Sequence, residues 1–141
     1  QLDFDLFLPA IGIGLLSVAV LNLNNMRDET SDRKSGKNTI VVQMGGEKAK
    51  KYHYFLIITA MVVFVVFALL NNFNIDQYLF LVAYYPLVKH LDTVKKNTNP
   101  KELDPELKKV ALSTFLLSVL FSLCMIYFFS DVIVNTFMGG R

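Results

Sequence analysis

The chain has 141 residues, enough for one domain, and is 53% hydrophobic and only 18% charged, with a mean hydropathy of +0.42. That composition excludes an ordinary soluble domain. A net charge of only +2, with no basic tail and no aromatic–basic interleaving, excludes a nucleic-acid partner. The single cysteine, Cys124, excludes an internal disulfide framework and a Cys-based zinc site, and its place inside an apolar run makes it a packed thiol.

Residues 1–5 carry two acids and no positive n-region, so no cleavable signal peptide is read there. With no initiator Met, the chain is expected to begin partway through a larger protein. Residues 6–26 are 21 consecutive uncharged positions, the length of a membrane-spanning helix. Pro9 lies in the first turns, where proline is tolerated, and Gly12 and Gly14 would permit close helix packing. A polar loop follows over 27–53. The helix is expected to run on to about Lys34 and stop near Gly36. Residues 39–44 (TIVVQM) read as a strand-like or looping segment, and residues from Glu47 as the start of the next helix.

Residues 54–75 give 22 uncharged positions and a second span, entered past Tyr52 and Tyr54 as interfacial aromatics. After a short polar turn comes the weakest span. Only 77–88 is charge-free, too short to cross ~30 Å of hydrocarbon unless extended to Val94 through Lys89, His90 and Asp92. Pro86 should kink it. The second polar loop covers 95–109, with Asp104 read as an N-cap and Pro105 as the first helical residue. Residues 110–130 are a fourth span of 21 uncharged positions, and a short tail ends at Arg141. The fold class is therefore all-α, a polytopic transmembrane bundle with four spans at about 6–26, 54–75, 77–94 and 110–130.

The loop at 27–53 holds seven basic residues and the segment 89–109 holds six, so 13 of the 14 Lys and Arg fall on one side of this topology. The positive-inside rule places both loops in the cytoplasm. It also requires the doubtful third span, without which the two basic loops would face opposite sides.

The stretch from 21 to 45, LNLNNMRDETSDRKSGKNTIVVQMG, carries the chemistry. Asn24, Asp28 and Asp32 are spaced by four and share one helix face. Two carboxylates in such a column can bind a hard divalent cation, Mg²⁺, that bridges to substrate phosphates. Arg33, Lys34 and Lys37 follow, residue types that hold the remaining phosphate charge. Asn24 and Asn25 are polar at the end of a span, which is costly unless they face something polar. Lys89, His90 and Asp92, with Tyr52 and His53, lie near the same membrane side as candidate contacts to an acceptor or a phosphate. The residues alone leave other readings open. They include a charge-balanced surface, a scaffold whose basic loops bind anionic lipid, and half of a transporter.

The pattern N-N-x-R-D-x-x-x-D-x-x-x-G-K-x-T in this stretch resembles the second aspartate-rich motif of the UbiA superfamily of membrane prenyltransferases. It is most like the menaquinone-pathway members that prenylate 1,4-dihydroxy-2-naphthoate. The distal KELDPELKKVALSTFLLSVLFSL resembles their last cytoplasmic loop and final helix. The resemblance covers the chain as a C-terminal half and implies a nine-helix bundle of the bacterial inner membrane. The four spans would be helices six to nine, and a missing N-terminal half would carry the companion aspartate motif. It implies Mg²⁺-dependent transfer of a polyprenyl group from its diphosphate to an aromatic carboxylate acceptor, with loss of the carboxylate. In it Asp28 and Asp32 are catalytic metal ligands with Asn24, while Asn24, Arg33, Lys34 and Lys37 bind diphosphate. Asn25, Lys89, His90 and Asp92 are its candidate acceptor or phosphate contacts. Other acceptors of the superfamily, 4-hydroxybenzoate or the haem and chlorophyll types, remain alternatives.

Overall fold

The computed structural model describes the backbone of residues 6–138 and the side chains of residues 6–130; the first five residues and the tail beyond Met138, including Arg141, lie outside the described residues. Every regular element described is helical: α1 (Phe7–Lys34), α2 (Ile40–Met44), α3 (Gly46–Leu70), a 3₁₀ segment (Ile75–Ala83), α4 (Tyr84–Lys96), a short 3₁₀ turn (Pro100–Leu103) and α5 (Asp104–Met138).

Four antiparallel legs result, and the contacts give their register. Gly12 of α1 lies against Phe64 of α3, while Asn22 donates to the Ala49 carbonyl at 3.1 Å, so these helices run in opposite directions. α3 and α4 are paired by Tyr54 to the Leu91 carbonyl (3.1 Å) and Tyr84 to the Met61 carbonyl (2.6 Å). The return leg meets α5 through Phe80–Phe121, centroids 5.5 Å apart, and through His90–Glu106 at 2.7 Å. One core fills the middle of the bundle around Leu16, Phe64, Phe67, Phe80 and Phe121. A second, with Leu23, Met26, Val94, Leu103 and Val110, lies beneath the polar end.

α1, α3 and the helical stretch Pro100–Ser130 are each long and apolar enough to cross a membrane. Large apolar side chains point outward on all of them, among them Phe55, Leu69, Phe115 and Ile126. A bundle that leaves so much apolar surface uncovered is built for lipid rather than water.

Several sequence expectations change here. The 77–94 leg is not one kinked helix but a 3₁₀ segment joined to a 13-residue α-helix. Pro86 lies in the first turn of α4, and the change of helix type falls at Ala83–Tyr84. The reason is local: proline has no N–H for the Val82 carbonyl and its ring crowds that carbonyl, so α geometry cannot extend back through it. At ~2.0 Å per 3₁₀ residue and ~1.5 Å per α residue the two pieces still supply about 37 Å of chain for the return. Residues 39–44 are not strand-like. They form α2, with the Thr39 side chain accepting from the Val42 N–H as an N-cap. α3 ends at Leu70, short of the expected 75, because Asn71 caps it and Asn72 turns left-handed at φ 52°. Asp104 is not an N-cap. It has helical dihedrals, and its carboxylate is used elsewhere. Of the two glycines in α1 only Gly12 meets a neighbour; a Cβ at Gly14 would meet nothing within 4 Å.

Candidate functional site

The last three turns of α1 carry the column, with both aspartates beyond the apolar stretch. The helix runs unbroken to Lys34, with the basic residues Arg33 and Lys34 in its final turn, where they complement the carboxyl end of the dipole. Asn24, Asp28 and Asp32 therefore stand on one face as expected.

Their charges are answered by cations of the chain. Arg27 Nε donates to one oxygen of Asp28 at 2.9 Å and Nη2 to the other at 2.8 Å. Nη2 also donates to Asn24 Oδ1 at 3.0 Å, and Nη1 reaches across to Asp104 Oδ1 at 2.8 Å. One guanidinium thus joins the asparagine, the first aspartate and the start of α5. Its planar fork suits such multidentate holding, which a lysine could not reproduce. The hydrogen bonds from Arg27 hold the Asp28 carboxyl below its usual range. Asp32 is nearly buried and is met by Lys37 Nζ at 3.2 and 3.3 Å.

Between these groups and the second polar loop lies a pocket of about 600 Å³, lined by Arg27, Asp28, Thr30, Ser31, Lys34, Asn99, Pro100, Lys101 and Asp104. Two aspartates, three cations and two hydroxyls face it, the mixture a charged, oxygen-rich ligand needs, whereas Asn24, Asp32 and Lys37 are not among its lining residues. No group of three or more His, Cys, Asp or Glu that could hold a metal occurs among the described residues. Asp28 at the pocket wall still fits Mg²⁺, which is usually held by one or two carboxylates with water and substrate phosphate as further ligands; Asp32, one turn on, is paired with Lys37 outside the lining. Each Asp28 oxygen engaged by Arg27 keeps a second lone pair.

The other expected contacts separate. Lys34 lines the pocket, whereas Arg33 donates to Glu29 at 3.1 Å and to the Val42 carbonyl at 3.3 Å. Asn25 is half-buried and does not line it. Lys89 lies over the Tyr85 ring at 4.7 Å, and Asp92 pairs with Lys96 at 2.6 Å, both exposed and away from the lining. His90 is buried between His53 and Glu106, so it is no direct contact for a ligand in this pocket. Tyr52 packs against the apolar core.

Sequence reasoning missed Arg27, Asp104, Asn99 and Lys101 as parts of one site. Arg27 stands inside the motif, beside Asp28. The long-range partner, 77 residues on, had no local signal beyond a carboxylate beside Pro105.

Comparison with known proteins decides the family. The model of the UbiA prenyltransferase family matches residues 1–104. The chain belongs to that family. Similar relatives of this UbiA chain are two proteins named 1,4-dihydroxy-2-naphthoate octaprenyltransferase. The one from Haemophilus influenzae is 41% identical over 123 residues, covering 87% of this chain and 40% of that protein. The one from Escherichia coli K12 is 40% identical over 118 residues, covering 84% and 38%. The UbiA chain thus spans about two-fifths of the length of these curated relatives. No solved structure gives a significant match. Family membership and the outward apolar helices make it an integral membrane protein.

Proposed function

We propose that this chain supplies the second aspartate-rich motif of a longer enzyme. That enzyme transfers a polyprenyl group from its diphosphate to 1,4-dihydroxy-2-naphthoate, with Mg²⁺ as cofactor. The observation that carries the reading is the junction of the family's motif with the pocket: Asp28 stands at its wall together with Lys34 and Lys101. The naphthoate acceptor rests on the names of the two relatives.

Ionising an allylic diphosphate needs the leaving charge neutralised where it develops. Lys34 and Lys101 bring positive charge to the pocket from opposite loops, and Arg27 keeps Asp28 ionised and oriented. Bound Mg²⁺ would supply electrostatic stabilisation of the diphosphate leaving group. Asp28 and Asp32 would hold it from this chain. The buried layer of Leu23, Met26 and Leu103 beneath the polar end keeps water from the membrane side of the site. The missing part of the protein would bring the companion aspartates and the rest of the cavity. Both polar loops would face the cytoplasm of a bacterial inner membrane.

The test uses the full-length protein in membranes, with labelled polyprenyl diphosphate and 1,4-dihydroxy-2-naphthoate. Asp28→Asn and Asp32→Asn are each expected to lower turnover by roughly 10²–10³-fold while leaving insertion intact. Chelation of Mg²⁺ should abolish turnover of the unaltered enzyme and its return restore it. Full turnover in both variants would overturn the site. Turnover with 4-hydroxybenzoate alone would overturn the acceptor.

A further inference from the structure

A second polar cluster lies inside the bundle, outside the pocket. His53 of α3 and His90 of α4 meet Nε2 to Nε2 at 2.7 Å, with rings 5.0 Å apart edge to face. His90 Nδ1 meets Glu106 Oε2 of α5 at 2.7 Å, and the other Glu106 oxygen meets Lys109. His53, His90 and Glu106 are each at least 97% buried. The bonding pattern is determined by chemistry. A carboxylate only accepts, so His90 donates through Nδ1–H. In the neutral ring Nε2 is then an acceptor, and His53 donates to it through its own Nε2–H. Three elements are tied by one directed chain that ends on a buried carboxylate.

That carboxylate is two residues from Asp104. Residues i and i+2 of a helix leave it on opposite sides, about 200° apart. Glu106 points into the α3–α4 interior, and Asp104 points out to Arg27 at 2.8 Å. Pro105 stands between them with its φ fixed by the ring. The first turn of α5 is thus gripped from both sides: by the histidines within and by Arg27 without. Leu103, immediately before it, is 2% exposed and locks the approach.

We propose that His90 is a positioning residue for the reaction: by holding Glu106 it fixes the first turn of α5, from which Asp104 holds Arg27 against Asp28. This rests on the reading of Asp28 as a diphosphate–metal residue. His90 touches no substrate. It sets the orientation of Asp28 through Glu106, Asp104 and Arg27; Glu106 fixes its tautomer, and His53 donates to the ring nitrogen left free. Supporting groups of this kind are typically worth roughly 10- to 100-fold in metal affinity or activity.

The experiment is a mutant cycle in the full-length enzyme, read as kcat and KM for polyprenyl diphosphate at several Mg²⁺ concentrations. His90→Leu is expected to lower kcat/KM by roughly 10- to 100-fold and to raise the Mg²⁺ requirement. His90→Asn, whose amide N–H can donate to Glu106 in place of Nδ1, should recover most of that loss. Asp104→Asn should lower kcat/KM by a similar factor. The decisive arm is the double variant His90→Leu/Asp104→Asn, which should be no worse than either single variant, because both cut the same chain. Losses that multiply, or an unchanged kcat/KM in His90→Leu, overturn the proposal while an inactive Asp28→Asn control keeps the site assignment standing. An active Asp28→Asn control overturns the site assignment and this proposal together. Glu106→Leu, which removes the acceptor for His90 Nδ1–H, runs the same cycle with the same criteria if His90→Leu does not insert.

Discussion

At position 27 a guanidinium meets Asn24, Asp28 and Asp104, and at position 12 a missing side chain lets two helices touch. Both are single-residue facts with large consequences, and the second yields a clean test. A Cβ on Gly12 would sit 2.6 Å from Phe64 Cε2. Phe64 is fully buried and has Phe121 at 4.8 Å and Phe80 at 6.3 Å between ring centroids, so its ring has little room to retreat. Gly12→Ala is expected to destabilise the detergent-solubilised full-length protein by about 1–3 kcal/mol, the usual cost of overpacking. Gly14→Ala, in open space, should be neutral or stabilise by up to ~1 kcal/mol through helix propensity. Combining Gly12→Ala with Phe64→Leu should cost less than the sum of the two single changes. Equal unfolding midpoints for Gly12→Ala and Gly14→Ala would contradict the close approach. The sequence offered both glycines on equal terms, since only the facing ring distinguishes them. Likewise the column of Asn24, Asp28 and Asp32 was legible from spacing alone. The partner that closes it, Asp104, was not, because a 77-residue separation leaves no periodic trace.

Among the elements, the long apolar ones were legible and the short ones were not. α1, α3 and α5 announce themselves by uninterrupted uncharged runs. α2 is five residues whose identity depends on one cap, Thr39, and a β-branched TIVV run reads as a strand until that cap is seen. The 75–96 leg was hard for a different reason. It is stabilised less by its own sequence than by what it lies against, and Tyr84 is a large part of that. Its hydroxyl donates to the Met61 carbonyl at 2.6 Å, joining the first turn of α4 to the middle of α3. The tie falls where the 3₁₀ segment gives way to α-helix, so it anchors the junction that Pro86 forces. Tyr84→Phe keeps the ring against Phe80, 6.0 Å between centroids, and removes only the hydrogen bond. The expected cost is about 0.5–1.5 kcal/mol in global unfolding. Amide exchange should rise across 75–90 and remain unchanged in α1. Uniform acceleration over the whole bundle, or none, would count against an anchor at this junction.

For the molecule as a whole, what matters is that both polar loops gather at one end. Arg27 reaches Asp104, and Lys50 Nζ donates to the Asn97 carbonyl at 2.8 Å, so the 27–53 and 95–109 segments are fastened directly to each other. The opposite end is the tight, left-handed turn at Asn72, held by backbone bonds from Asn71 to Phe67 and from Phe73 to Ala68. The chain therefore has a charged end and an apolar body for lipid, and a single folding rule produces both. Long apolar legs cannot bury charge, so every loop residue that carries it is driven to the ends, and the basic excess selects one end. If that holds, three cysteines introduced one at a time into a cysteine-free full-length protein should divide two to one. Lys48→Cys and Lys101→Cys should be blocked by a membrane-impermeant thiol reagent only when the cytoplasmic face is accessible. Asn72→Cys should be blocked only from the other face. Labelling of Lys48→Cys and Lys101→Cys from opposite faces would break the one-ended site, and with it the meeting of Arg27 and Asp104 on which the pocket depends. Labelling of both from the outer face would keep the geometry and reverse the orientation.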